Sequence, residues 1–162
     1  MGLDPGTAIV GWAVIRESSP GPKALAYGVI KTEKTEKAEF RLKRIHESLL
    51  ALLARYTPDA VVIEDLFFAR NVTTAFSVGQ ARGILLLACA EKNLPVFSYP
   101  PMVIKRCVTG DGKADKKQVE YMVMLELHLT KVPKSDDAAD ALAIALTHAF
   151  SHRLHDMQKK IL

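Results

Sequence analysis

The chain has 162 residues, 22 of them basic and 18 acidic, for a formal charge of +4. With 49% hydrophobic and 25% charged residues it can bury a core and is not a disordered chain, and its length suits one domain over residues 1–162. The longest unbroken apolar run, Ile84 to Ala90, is far short of the ~18 residues that a membrane span needs. Asp4, Pro5 and Gly6 stand where the apolar segment of a signal peptide would begin, so a cytoplasmic protein with no membrane partner is expected. Cys89 and Cys107 belong to no Cys-x-x-Cys pair and read as buried thiols in a reducing compartment.

Met1 to Leu3 reads as the stub of an apolar strand, followed by the turn residues Asp4-Pro5-Gly6-Thr7. Ile9 to Ile15 resumes a β-rich run, and Ala24 to Lys31 makes a third strand across the loop Ser18 to Pro22. Leu42, Ile45, Leu49, Leu52, Leu53 and Tyr56 recur at spacings of three and four, which predicts a helix from Glu36 to Tyr56. Ala60 to Ile63 is continuously apolar and suits a strand covered on both faces. A helix from Thr73 to Asn93 and a short strand Val96 to Tyr99 follow. Three helices close the chain: Pro101 to Val108, ended by Gly110-Asp111-Gly112, then Asp115 to Leu129 and Asp136 to His152. The order βββαβαβααα implies an α/β fold, a mixed sheet of about five strands with helices on both faces.

Four carboxylates stand in places where charge is costly. Asp4 closes an apolar strand, although Asp before Pro-Gly is also ordinary turn chemistry. Glu64 ends the run Ala60 to Ile63, and ligands gather beyond the carboxyl ends of parallel strands. Glu64 and Asp65 point to opposite faces because strand side chains alternate, so only one can share a site with Asp4. Ser135, Asp136 and Asp137 suit a helix N-terminus, whereas Asp140 lies in the second turn of a helix whose continuation is almost wholly apolar. Asp140 shares a face with Asp137 at i+3 and with Asp136 at i+4, and spacing does not choose between them. Acids brought together this way repel unless protonated or neutralised. Oxygen-only ligation suits Mg²⁺ or Mn²⁺, and paired ions of this kind serve phosphodiester hydrolysis.

Four segments, Gly2-Leu3-Asp4-Pro5-Gly6-Thr7, Val62-Ile63-Glu64-Asp65-Leu66-Phe67-Phe68, Val78-Gly79-Gln80-Ala81-Arg82-Gly83 and Asp137-Ala138-Ala139-Asp140-Ala141-Leu142-Ala143, together resemble the RuvC family of bacterial crossover junction endodeoxyribonucleases. The resemblance runs in order through nearly the whole chain. It implies a ribonuclease H-like fold and a homodimer that resolves Holliday junctions in recombination and repair by symmetric nicking of two strands. It also implies Mg²⁺ dependence, with two ions per site and Mn²⁺ as a substitute, and cooperation with the RuvA–RuvB branch-migration complex. By position, Asp4, Glu64, Asp137 and Asp140 are the implied catalytic and metal-binding acids. Phe67 falls where the family sets an aromatic against junction bases, and Lys105 and Lys116 where it sets lysines that handle DNA. Asp136 is an acid beyond the family set.

Lys105 to Lys117 carries five basic residues against two acidic ones, and Lys113, Lys116 and Lys117 around the glycine break read as contacts to phosphates. No Walker loop fits, since Cys107 stands at its first glycine and Ala114 at its Ser or Thr. His148 and His152, four apart without a third ligand, read as surface or helix-end histidines. Two other functions share parts of the pattern. A non-catalytic structure-specific DNA-binding module accounts for the lysines and Phe67 but leaves the acids without a purpose. An actin-like or sugar-kinase ATPase would use Asp4 to Thr7 as a phosphate loop, but needs a second related domain.

Overall fold

The computed structural model describes the backbone of residues 1–65 and 72–159, with side-chain surroundings for residues 1–65 and 75–152. The strands are β1 (Gly2–Asp4), β2 (Ile9–Arg16), β3 (Lys23–Lys31), β4 (Val61–Glu64) and β5 (Val96–Tyr99). The helices are α1 (Ala38–Tyr56), α2 (Val72–Glu91), α3 (Pro101–Thr109), α4 (Lys116–Glu126) and α5 (Asp136–Lys159). The strands form one sheet in the order β3-β2-β1-β4-β5. The chain lays down the β1-β2-β3 meander first, antiparallel throughout, then adds β4 parallel to β1 and β5 parallel to β4 through helical crossovers. Among the described residues no helix is long and apolar enough to cross a membrane.

The unbroken apolar run of β4 is explained by its two covered faces. Val61 and Ile63 pack with Ile45, Leu49 and Leu53 of α1 and Leu85 and Cys89 of α2, whereas Val62 packs on the other face with residues of α3, α4 and α5. Each fully buried Leu or Ile of these two cores stabilises the fold by about 1.5–3 kcal/mol. Some helix boundaries differ from the sequence pattern. α1 starts after Lys37, with Glu36 outside it and paired to Arg44. α4 ends at Glu126, where Leu127 forms the C-cap and His128 takes a left-handed φ of 51°. α5 continues past His152 to Lys159 because neither Gly nor Pro interrupts that stretch. Cys89 is buried as expected, but Cys107 is only half-buried, its thiol 3.9 Å from the carbonyl of Thr147.

α5 lies against β1 and β2 at backbone contact. A Cβ on Gly2 would run into the Ala141 carbonyl and Ala145, and one on Gly11 would run into the Asp137 carbonyl. The facing helix surface is equally small, with Ala138, Ala141 and Ala145 all buried. Gly2 and Gly11 therefore set the height of the helix above the sheet, and no other residue fits there without displacing it. Gly11→Ala is expected to cost about 1–3 kcal/mol through overpacking, seen as a lowered midpoint in thermal denaturation. An unchanged midpoint would refute this seating of the helix.

Candidate functional site

Asp4 is the last residue of the central strand, and Glu64 the last residue of its parallel neighbour. The register Leu3↔Ile63 sets the two side by side at the carboxyl ends of β1 and β4. Across the other ladder Asp4 pairs with Gly11, the residue on which Asp137 rests, so the first turn of α5 is held beside Asp4. The Ser135 backbone carbonyl accepts the Ala139 N–H at 3.1 Å as the helix begins, while the Ser135 hydroxyl donates to Asp137 Oδ2 at 3.2 Å. Asp140, one turn further, is half-buried and helps to line a cleft with Glu64.

The packing sends the two aspartates at the start of α5 to different surroundings. Asp137 is half-buried and acts on Asp4, where it is one of the charges raising the carboxyl pKa. Asp136 has 70% of its side chain exposed and turns to Lys116 at 3.4 Å. The rotation of the helix on Gly11 thus gives the inner place to Asp137.

The four acids sense one another. Burial pushes the Asp4 carboxyl up to about 7, helped by repulsion from Asp140, Glu64 and Asp137. Glu64 is also pushed up to about 7, by burial and by the charge of Asp140, with Lys105 and Lys116 opposing the rise. Asp140 is raised as well: burial and the neighbouring Asp137 and Asp136 outweigh its pair with Lys116. Burial disfavours the Lys116 charge, but hydrogen bonds and attraction to Asp140 and Asp136 hold its pKa above the ordinary value. Its ammonium lies 3.0 Å from Asp140 and 3.4 Å from Asp136. Among the described residues no three acids close into a ligand cage. They form instead an oxygen-only donor set in which the raised pKa values of Asp4, Glu64 and Asp140 mark negative charge that protein groups leave under-neutralised. That set fits hard divalent cations.

The cleft beside the acids has a volume of about 230 Å³, an apolar floor of Ile104, Val119, Ala143 and Ile144, and a rim of Glu64, Asp140, Lys105 and Lys116. The Lys105 ammonium is steadied by the Ala114 carbonyl at 2.8 Å. The expected lysines therefore divide. Lys105 and Lys116 join the acids, whereas Lys113 and Lys117 are exposed and lie outside the cleft wall. Phe67 lies outside the described residues.

Two features escaped the sequence pattern. Arg82 of α2 donates to Asp65 at 3.2 Å and to Ser98 of β5 at 2.9 Å, fastening the end of β4 from the face opposite Glu64. An arginine inside the apolar helix was the available signal. His148 is not a surface or helix-end residue. It is half-buried in mid-helix, its Nδ1 is 3.0 Å from the Tyr99 hydroxyl, and its ring lies 4.4 Å from that of Phe97.

The family model described as "Crossover junction endodeoxyribonuclease RuvC" matches residues 1–148. A curated RuvC of Brevibacillus brevis is 50% identical over 149 residues, covering 92% of this chain and 90% of its own length. That of Thermotoga maritima is 50% identical over 153 residues, covering 94% and 91%. A solved structure of T. thermophilus RuvC in complex with Holliday junction substrate superposes with a TM-score of 0.90 at 41% identity, covering 95% of this chain and 94% of that one.

The raised acids give a test in the absence of divalent ions. Asp4 and Glu64 have pKa values of about 7 against ordinary values of 3.8 and 4.5, so between these limits the folded protein holds protons that the unfolded chain has released. The contribution of these two acids to stability in chelator is therefore fully present below about pH 4, falls as the pH rises to about 7, and is lost above that. Asp4→Asn is expected to flatten part of this fall and, at pH 8 in chelator, to raise the thermal midpoint by roughly 2–6 °C. Parallel pH profiles for the two proteins would refute the coupling.

Proposed function

Because the chain belongs to the RuvC family of crossover junction endodeoxyribonucleases, we propose that Asp4, Glu64, Asp137 and Asp140 are its catalytic acids and hold two Mg²⁺ ions, with Mn²⁺ able to replace them. The observation that carries this reading is the convergence of the four acids at the carboxyl ends of β1 and β4, with two pKa values raised to about 7. The protein is a metal-dependent nuclease of four-way DNA junctions with a ribonuclease H-like fold. When bound, the ions supply neutralising charge and acidify the water that attacks the phosphodiester. The protein's own groups do the rest. The strand ends and the seated helix fix the four carboxylates before substrate arrives, so little reorganisation is needed during the reaction. Lys105 and Lys116 present ammonium groups beside the acids, where they attract the scissile phosphate. Phe67 supplies an aromatic face for a junction base, a contact worth about 1–3 kcal/mol that tolerates any sequence. Lys113 and Lys117 hold flanking phosphates.

The whole chain acts as one nuclease domain in the cytoplasm, at the nucleoid, with the RuvA–RuvB complex as its partner. Two identical cuts in a two-fold junction call for two copies of the site, and α2 offers the surface for the second copy. Phe76, Gln80, Gly83, Leu87 and Ala90, at spacings of four and three, form one exposed stripe. Phe76 and Leu87 are 69% and 49% exposed, and nothing lies within 4 Å of a Cβ at Gly83. Such a stripe suits helix-on-helix packing. The phosphate-loop function for Asp4 to Thr7 gives way to the family assignment, and a purely DNA-binding role leaves the raised acids unexplained.

A labelled four-way junction in Mg²⁺, with matched duplex alongside, tests the site. Wild-type protein is expected to make paired symmetric nicks in the junction and to spare the duplex. Asp4→Asn is expected to bind the junction with cleavage reduced at least about 100-fold, a loss of ~2.7 kcal/mol in transition-state stabilisation. Cleavage by a folded Asp4→Asn protein at the wild-type rate would overturn the assignment. For the interface, Leu87→Glu is expected to convert a dimer to a monomer in sedimentation equilibrium and to uncouple the paired nicks. A Leu87→Glu protein that still sediments as a dimer would exclude this stripe.

A further inference from the structure

A second concavity opens on the other side of the acids. It lies between β3 and the segment joining α4 to α5, with a volume of about 490 Å³, roughly twice that of the catalytic cleft. Tyr27 and Val29 of the edge strand form one wall, and residues 129–134 form the other. Ser135 and Ala138 also line it, so it runs up to the helix turn that carries Asp137. Along the sheet the acids therefore sit between two basic regions: Lys105 and Lys116 towards β4, and this groove towards β3.

The composition of the groove is selective. Lys131 and Lys134 stand exposed on its rim, and neither makes an ion pair among the described residues. Leu129 to Ser135 contains no acidic residue. Buried Pro133 stiffens the backbone between the two lysines. Tyr27 and Val132 are 39% and 43% exposed, which gives the groove an amphipathic wall suited to sugar and base edges. A polyanion approaching the acids meets repulsion at the centre, so it needs cations on both sides to be held across the site. The sequence places cations on one side, and the fold places a second pair on the other.

Resting on the reading of Asp4, Glu64, Asp137 and Asp140 as the catalytic acids, we propose that this groove is a second DNA-binding subsite. In it Lys131 and Lys134 bind the sugar–phosphate backbone of the junction arm leading away from the scissile phosphate on the β3 side, and Tyr27 packs against that backbone. The groove adds affinity without touching the chemistry. Each phosphate neutralised by a lysine releases counterions, so the contribution is readable in the salt dependence of binding.

The test is junction affinity in chelator between 50 and 200 mM salt, using wild type, Lys131→Ala/Lys134→Ala, Tyr27→Ala and, as a control at the opposite end of the sheet, Lys92→Ala. The double lysine variant is expected to bind roughly tenfold more weakly at 0.1 M salt, with the slope of log K against log salt reduced by about 1.5–2. Tyr27→Ala is expected to weaken binding with an unchanged slope, and Lys92→Ala to leave both quantities as they are. At saturating protein in Mg²⁺ the double variant should nick at the wild-type positions and within about threefold of the wild-type rate, which separates a binding subsite from the catalytic centre. The altered side chains are exposed, and an unchanged thermal midpoint confirms that each variant is folded. If wild type cuts the junction while the double variant keeps its affinity and slope, the subsite is refuted and the reading of the acids stands. If wild type neither binds nor cuts, both fall.

Discussion

The seat of α5 on the first two strands is the contact on which the rest of the molecule depends. Gly2 and Gly11 offer no side chain, and the helix answers with alanines, so backbone meets backbone. Packing at this distance removes water from the base of the site and fixes the rotation of the helix. It also decides which aspartate turns inward and how far its carboxylate stands from the end of β1. Core packing and the arrangement of the acids are thus one contact seen from two sides, and neither can be altered alone.

The same closeness carries an electrostatic cost. Carboxylates that are partly desolvated and crowded hold their protons up to about pH 7 when no metal is bound. The fold limits this cost in two ways. It supplies Lys116, which spans Asp136 and Asp140, and it uses the alternation of β4 to send the next acid elsewhere. Glu64 faces the cleft, while Asp65 turns to the opposite face and is satisfied by Arg82. Two adjacent acids at one strand end therefore belong to different parts of the structure, one to the cleft and one to the fastening of α2.

The sequence made much of this legible because the strongest signals were local. The apolar run ahead of Glu64 implied a strand covered on both faces, and the three-and-four spacing of Leu42 to Tyr56 implied α1. Asp140 stood out because an acid in the second turn of an apolar helix lacks a local explanation. The choice between Asp136 and Asp137 came from family likeness alone, since the physical arbiter, Gly11, lies more than a hundred residues away in the chain. Arg82 stayed hidden for a similar reason: its partners, Asp65 and Ser98, are brought together only by the β4–β5 ladder. The two lysines of the β3-side groove carried no pattern in the chain, because the tyrosine opposite them belongs to a strand about a hundred residues earlier.

The basic segment after α3 is built from unequal parts. Gly110 ends that helix with a left-handed φ of 83°. Asp115 opens the next one through a reciprocal capping box with Gln118, and Ala114 is pinned just before it by Lys105. Lys116 therefore takes its position from the start of a capped helix and not from the loop that precedes it. The stretch from Asp111 to Lys113 is a turn of its own, with the Asp111 N–H donating to the Thr109 hydroxyl at 3.1 Å, the Lys113 N–H donating to Asp111 Oδ1 at 2.9 Å, and a Cβ at Gly112 excluded by Met102. One lysine of the cluster is held against the acids by a helix start and its neighbour Lys113 is carried outward on a separate turn, a distinction that a tally of charges along the segment does not contain.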